Sequence, residues 1–128
     1  ELKDIEDRYL DELSGGQRQR AYIAMVIAQN TEYVLLDEPL NNLDMKHSVS
    51  MMKVFRRLVD ELGKTVVIVM HDINFASVYS DNIVVLKNGK LAKDDKTDNI
   101  IDKKILEDIY EIDFDIKEIN GNKICIYF

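Results

Sequence analysis

The sequence predicts an α/β fold whose core is a strand–helix–strand unit of a parallel sheet, followed by antiparallel hairpins. Residues 33–37 and 65–70 are short apolar runs, as expected of strands that are buried on both faces of a parallel sheet. Residues 45–62, which lie between them, carry apolar side chains at three- and four-residue steps, the helical period. A strand, a helix and a second strand in this order are typical of a parallel βαβ unit.

The helices have recognisable ends. Asp44 can cap the first turn of the helix between the two strands, and Gly63 is a natural stop for it. The apolar positions that recur along this helix are Val49, Met52, Phe55, Val59 and Leu62. Further helices are predicted over residues 17–29, 72–80 and 102–110, and the first of them has Ile23, Val26 and Ile27 among its expected buried side chains.

Two Asn-Gly pairs predict hairpins in the second half of the chain. Asn-Gly is a strong signal for the two-residue hairpin turn, because both central residues of that turn need a positive φ. The first pair is Asn88-Gly89 and the second is Asn120-Gly121. The flanking strands are residues 83–87 and 90–93 around the first pair, and residues 114–119 and 123–128 around the second.

The composition excludes several classes of protein. The chain is 46% hydrophobic, which is enough for a real core, and its formal net charge of −7 argues against non-specific binding to nucleic acid or anionic lipid. No apolar run approaches the length that crosses a bilayer. The single cysteine, Cys125, rules out a disulfide within the chain, which fits a reducing compartment, and its apolar surroundings predict a small buried side chain.

Residues 14–17, Ser-Gly-Gly-Gln, predict an anion site at the start of a helix. Ser14 is a good N-cap, and Gln17 three residues later completes a capping box. Gly15 and Gly16 have no Cβ, so a ligand can approach the backbone closely. The free N–H groups and the positive dipole end of the first turn suit phosphate. The alternative is an ordinary capped helix.

A second group of polar residues follows the two predicted parallel strands. Asp37 and Glu38 stand at the end of the first strand, and His71 follows the second. Ligands of open α/β sheets bind at the carboxyl ends of the strands, so we expect these side chains to meet. Glu38 could then act as a general base, and His71 could orient a phosphate and the attacking water. Solvated loop carboxylates and a core histidine are the alternatives.

Three other polar side chains carry weaker signals. His47 lies on the amphipathic helix with no partner evident from the sequence, and we expect a structural or surface role. Arg18 and Arg20 flank the glycine pair and either add positive potential or belong to a solvated helix face.

Four motifs follow one another in an order that resembles the ATP-binding subunits of ABC transporters. They are Leu-Ser-Gly-Gly-Gln at 13–17, Leu-Leu-Asp-Glu-Pro at 35–39, Asn-Leu-Asp at 42–44 and Met-His-Asp at 70–72. The resemblance implies that residues 14–17 are the signature motif and residues 41–44 the D-loop. It also implies that Asp37 is the Walker B acid, Glu38 the catalytic base and His71 the switch histidine.

The same resemblance implies ATP and Mg²⁺ as cofactors of the full-length protein. The residues implied to bind the nucleotide are Ser14, Gly15, Gly16, Gln17 and Asp44. Asp37 would hold Mg²⁺ through a water, and poorly on its own, because Mg²⁺ takes much of its coordination from substrate phosphates.

One departure from the family pattern points to a subgroup. The D-loop of the family usually reads Ser-Ala-Leu-Asp, whereas residues 41–44 read Asn-Asn-Leu-Asp. With Asp-Ile-Asn-Phe-Ala at residues 72–76, this is similar to the subgroup that imports iron(III)–siderophore complexes.

The phosphate-binding loop of the family has no match in the chain, which nowhere reads G-x-x-x-x-G-K-[ST]. We therefore expect the C-terminal part of a P-loop ATPase domain with the Walker A half absent. Residues 1–30 would end its helical subdomain, residues 31–93 would hold the catalytic core strands, and residues 94–128 a terminal helix and hairpin. We expect the full-length protein to hydrolyse ATP and this chain alone to be inactive.

The resemblance also implies partners and a location. A second ATPase subunit would bind head to tail, so that each signature motif covers ATP held by the other subunit. Integral membrane permease subunits would place the protein on the cytoplasmic face of the membrane, and an extracytoplasmic binding protein would act indirectly. No nucleic acid is expected. The alternatives are a non-transport ABC-type ATPase, against which the lack of heptads and of positive charge argues, and a non-enzymatic half-domain.

Overall fold

The computed structural model describes residues 3–128 and divides the chain between His71 and Asp72 into two units. The three segments predicted above, residues 1–30, 31–93 and 94–128, stay an interpretation by resemblance. None of the helices within residues 3–128 is long and apolar enough to span a bilayer.

The first unit contains the predicted βαβ arrangement. Its elements, after two short 3-10 turns at Lys3–Ile5 and Leu10–Glu12, are α1 (Gly15–Ala28), β1 (Tyr33–Asp37), α2 (Met45–Asp60) and β2 (Thr65–Val69). The two strands are parallel and in register from Tyr33 opposite Thr65 to Asp37 opposite Val69. The α/β class and the strand order predicted from the sequence are therefore confirmed.

The buried face of α2 differs slightly from the predicted one. The side chains that are buried are Ser48, Met51, Met52, Phe55 and Leu58. Leu62, expected on that face, is 61% exposed because the helix has already ended at Asp60. Gly63 has a φ of 62° and donates its N–H to the Val59 carbonyl, which ends the helix as predicted.

The prediction that both strands are buried on both faces is wrong for the described residues. Val34 is buried, but Leu35 is 74% exposed, and Val67 and Val69 are about half exposed. Alternate side chains of a strand point to opposite faces, and α2 packs against β2 in this two-stranded sheet. Leu35, Val67 and Val69, here called the open sheet face, remain uncovered within residues 3–71.

The second unit is built from short helices and two antiparallel hairpins. Its elements are α3 (Ile73–Tyr79), β3 (Asn82–Lys87), β4 (Lys90–Lys96), α4 (Thr97–Ile100), α5 (Lys103–Tyr110), β5 (Asp115–Ile119) and β6 (Asn122–Ile126). β3 pairs with β4 and β5 with β6. Both residues of each Asn-Gly turn have positive φ, between 52° and 78°. Both predicted hairpins are confirmed, whereas the sequence did not predict α4.

Cys125 lies in the core of the second unit, as predicted. It packs there with Ile73, Ile101, Leu106 and Phe114. Burial raises the pKa of its thiol, and the charge of Asp72 adds to the shift. The Asn74 side chain accepts from the Cys125 N–H at 2.7 Å and donates to the Cys125 carbonyl at 3.1 Å, which ties α3 to β6.

We expect the open sheet face to drive self-association of the 128-residue chain, because exposed contiguous apolar surface favours association. Light scattering should show a mass that rises with concentration, and Leu35→Lys should suppress the rise. Leu86→Lys is the matched control, since Leu86 lies on β3 and is 72% exposed. A wild-type chain that stays monomeric at high concentration, or suppression by both variants alike, would contradict this expectation.

Candidate functional site

The start of α1 carries the predicted capping box. Ser14 Oγ accepts a hydrogen bond from the Gln17 N–H at 3.3 Å, and Gln17 Oε1 accepts one from the Ser14 N–H at 3.0 Å. Ser14 is thus the N-cap of a 14-residue helix. The earlier N–H groups of the first turn have no acceptor within the helix, because every α-helix leaves its first donors unpaired.

The two glycines of this turn have different surroundings. A Cβ at Gly15 would meet no atom within 4 Å, so the space beside Gly15 is open. A Cβ at Gly16 would lie 3.4 Å from Leu43 Cδ2, so α1 begins close against the loop that precedes α2. Gln19 Nε2 also donates to the Pro39 carbonyl at 3.3 Å. The helix start and the loop after β1 therefore lie side by side, a contact that the sequence analysis missed.

Glu38 and His71 meet at the carboxyl ends of β1 and β2. The Glu38 N–H donates to the Val69 carbonyl at 3.0 Å, which extends the strand pairing one residue beyond β1. His71 Nε2 then contacts Glu38 Oε1. The His71 side chain is 77% exposed, which excludes a core histidine. The expectation that the strand ends bring an acid and an imidazole together is confirmed, while their catalytic roles stay predictions.

The Glu38 carboxylate is held on both oxygens. Asn41 Nδ2 donates to Glu38 Oε2, and the Asn41 N–H donates to the Glu38 carbonyl at 3.1 Å. Glu38 itself has a φ of 45°, in the left-handed region that residues other than glycine rarely adopt. The hydrogen bond from His71, followed by that from Asn41, lowers the pKa of the Glu38 carboxyl below its ordinary value.

Asn41 was missed as a partner of Glu38. In the sequence it stands out only as a departure from the family's usual D-loop. A signal for the turn was nevertheless present, because proline directly after Glu38 and asparagine at residue 41 both favour turns, and a tight turn brings residues three apart close together.

Asp37 ends β1 opposite Val69, and it is exposed. Among residues 3–128, no three His, Cys, Asp or Glu side chains cluster closely enough to hold a metal ion. Asp37 therefore offers a single carboxylate rather than a complete metal site.

Asp44 is the N-cap of α2, as predicted. Its Oδ1 accepts from the His47 N–H at 2.8 Å and contacts His47 Nδ1 at 2.7 Å. The backbone hydrogen bond from His47, with the ring contact second, lowers the pKa of the Asp44 carboxyl. No partner for His47 is evident from the sequence, and the structure provides one in Asp44, because the capping turn brings residues three apart together. Arg18 Nε donates to the Leu10 carbonyl at 3.0 Å, so this arginine is not simply solvated.

We expect His71→Ala to raise the pKa of Glu38 toward its ordinary value, because the His71 hydrogen bond is the largest cause of the lowered pKa. The Glu38 carboxylate is stabilised in the folded chain, so its contribution to stability is present above the ordinary glutamate pKa. That contribution is lost as the pH falls through the lowered pKa. Carboxyl ¹³C NMR titration of the metal-free chain measures the shift. Glu111, whose pKa is lowered by Lys87, is the internal reference and should not move. An unchanged Glu38 titration would contradict the assignment.

The amino-acid sequence has relatives among importer ATP-binding proteins. Residues 1–41 match the family model described as ABC transporter. The petrobactin import ATP-binding protein YclP of Bacillus subtilis is 62% identical over 127 residues, which is 99% of this chain and 50% of that protein. FatE of Bacillus anthracis, which has the same description, is 53% identical over 127 residues, 99% of this chain and 51% of that protein. The ferric enterobactin transport ATP-binding protein FepC of Escherichia coli is 41% identical over 109 residues, 85% of this chain and 40% of that protein.

Solved structures confirm the fold class. An inward-facing ABC transporter superposes with a TM-score of 0.87 over 99% of this chain and 52% of that chain, at 24% identity. A dimeric ATP-binding cassette in a post-hydrolysis state, bound to ADP and Pi, gives a TM-score of 0.64 over 68% of this chain and 37% of that chain, at 41% identity. The chain spans about half the length of the curated relatives it matches. These findings confirm its resemblance to the ATP-binding subunits of ABC transporters, with siderophore importers among its relatives, over about half of such a subunit.

Proposed function

We propose that the full-length protein containing this sequence is the ATP-hydrolysing subunit of an ABC importer, with an iron(III)–siderophore complex as its cargo. The meeting of Glu38 and His71 at the ends of two parallel strands carries the proposal of hydrolysis. The cargo is supported by the relatives, which are named for petrobactin import and ferric enterobactin transport. For the full-length protein, the alternatives of a non-transport ABC-type ATPase or a non-enzymatic half-domain have no such support.

Glu38 is the proposed general base. Its carboxylate would accept a proton from the water that attacks the terminal phosphate of ATP, while the water oxygen forms the new bond to phosphorus. The hydrogen bonds from His71 and Asn41 favour the ionised carboxylate, which is the form that can accept a proton, and they lower its pKa. His71 contacts one carboxylate oxygen and is largely exposed, so its ring can both orient Glu38 and reach a phosphate oxygen.

Residues 14–17 fit the phosphate groups of ATP. The open space at Gly15 admits a bulky anion to the backbone at the start of α1. Ser14 Oγ accepts from Gln17 and therefore keeps its own O–H as a donor. We propose that these groups bind ATP that is held mainly by a second ATPase subunit in a head-to-tail dimer. Asp44, exposed at the start of α2, would face the same nucleotide-containing interface.

The residues present fit Mg²⁺ only if the ion is coordinated jointly by this chain and by the phosphates of ATP. Asp37 would hold it through a water, and the phosphates of ATP would supply much of the remaining coordination. When bound, the ion neutralises charge on the phosphate oxygens.

The proposed setting is the cytoplasmic face of a membrane, where integral permease subunits and, indirectly, an extracytoplasmic binding protein complete the importer. The 128-residue chain on its own is proposed to be inactive. It contains no G-x-x-x-x-G-K-[ST] loop, whose lysine and hydroxyl normally hold the phosphates and the metal.

Glu38→Gln in the full-length protein should lower Mg²⁺-dependent ATP turnover by about 10²- to 10⁴-fold, the usual contribution of a general base. ATP binding should persist, because the amide keeps the shape of the side chain. In cells, the same variant should abolish uptake of a ferric siderophore. Glu118→Gln, at an exposed position of β5, is the control and should retain activity.

Wild-type turnover in the Glu38→Gln variant would overturn the assignment of the base. Separately, turnover by the 128-residue chain alone that Glu38→Gln abolishes would disprove the inactivity proposed for this chain.

Ser14→Arg should block ATP-driven dimerisation of the full-length protein, because it adds bulk where a phosphate must approach the helix start. Size-exclusion chromatography with ATP in the Glu38→Gln background, in which hydrolysis is stopped, measures the dimer. Gln29→Arg adds the same charge at the other end of α1, just beyond Ala28, and should leave dimerisation intact. Normal dimerisation of the Ser14→Arg variant would refute the role of residues 14–17.

A further inference from the structure

We propose that Asn41 is a positioning residue that holds the Glu38 carboxylate in the orientation needed for proton abstraction. The inference rests on the proposed function of Glu38 as the base. The observation behind it is that Asn41 Nδ2 contacts Glu38 Oε2, whereas His71 contacts the other carboxylate oxygen, Oε1.

Two donors on two different oxygens fix a carboxylate more completely than one. His71 alone would leave the group free to rotate about its terminal torsion, which is broad and roughly two-fold for glutamate. With Asn41 on the second oxygen, the plane of the carboxylate is set from two places, the loop after β1 and the segment after β2. Each oxygen has two lone pairs, so one on each remains available to a water.

The loop delivers the Asn41 amide to this place through its own backbone. The Asn41 N–H donates to the Glu38 carbonyl at 3.1 Å, which closes a tight turn from residue 38 to residue 41. Pro39 is buried within that turn, and its ring fixes one backbone angle. The next turn is closed by the Leu43 N–H donating to the Leu40 carbonyl at 3.2 Å. Asn41 therefore stands beside Glu38 before any ligand arrives.

The same contact contributes little to the stability of the fold. Both side chains of the hydrogen bond are at the surface, where substitutions usually change stability little. A catalytic defect in an Asn41 variant would consequently report orientation of the base rather than loss of folded protein.

The charge of the partner matters as well as its shape. Aspartate at position 41 would be nearly isosteric but would present a negative oxygen, instead of an N–H donor, to the Glu38 carboxylate. Asn41→Asp should therefore disturb Glu38 at least as much as Asn41→Ala, although it preserves side-chain volume.

Steady-state kinetics of the full-length protein test the proposal. Asn41→Ala and Asn41→Asp should lower kcat by about 10²-fold, the loss expected when a catalytic group is misplaced. The KM for ATP should change less than twofold, because Asn41 is assigned no contact with nucleotide. Asn99→Ala is the matched control, since it removes another amide–carboxylate hydrogen bond, from Asn99 Nδ2 to Asp95 Oδ1 at 2.9 Å. It should leave both constants unchanged.

A spectroscopic arm tests the contact without any hydrolysis. In ¹H–¹⁵N spectra of the 128-residue chain, Glu38→Ala should shift the side-chain amide resonances of Asn41 and leave those of Asn99 in place. Unshifted Asn41 resonances, or a kcat equal to wild type in both Asn41 variants, would overturn the positioning role. Absence of ATP turnover in the wild-type full-length protein would instead remove the proposed function and with it this inference, even where the amide shift is present.

Discussion

The parallel pairing of β1 with β2 is the constraint on which the candidate site depends. It places the carboxyl ends of two strands, more than thirty residues apart in the chain, side by side. The hydrogen bond from the Glu38 N–H to the Val69 carbonyl continues that pairing into the site itself. A slip of one residue would turn every side chain of β1 to the other face, and Glu38 would no longer meet His71.

Three local turns position the remaining side chains of the candidate site. The capping turn of α1, the tight turn that starts at Glu38 and the capping turn of α2 each use a side chain three residues from its partner. Because these contacts are short in sequence, they form with little loss of chain entropy and stand ready at the edge of the sheet. The close approach of Gly16 to Leu43 sets the start of α1 beside this loop.

Features that depend on local chemistry or on strong periodicity could be predicted from the sequence. The capping box at Ser14, the helix stop at Gly63 and the Asn-Gly turns need particular residue types at fixed spacings, and all are present in the structure. The exposure of Leu35 was not predicted. An apolar run indicates that its side chains favour burial, but it does not indicate whether residues 3–128 contain the surface that would cover them. The partners of Asn41 and His47 escaped for a different reason. The hydrogen-bond partner of a polar side chain depends on backbone angles, which the residue type alone does not specify.

The left-handed backbone at Glu38 has a consequence for how this protein can change. A φ of 45° suits glycine or asparagine better than glutamate, so the position carries conformational strain. Exchange for glycine would relieve that strain and at the same time delete the proposed base. Stability and the proposed catalytic role therefore favour different residues at position 38. Selection for stability alone, without selection for ATP turnover, would favour substitutions that remove the proposed base.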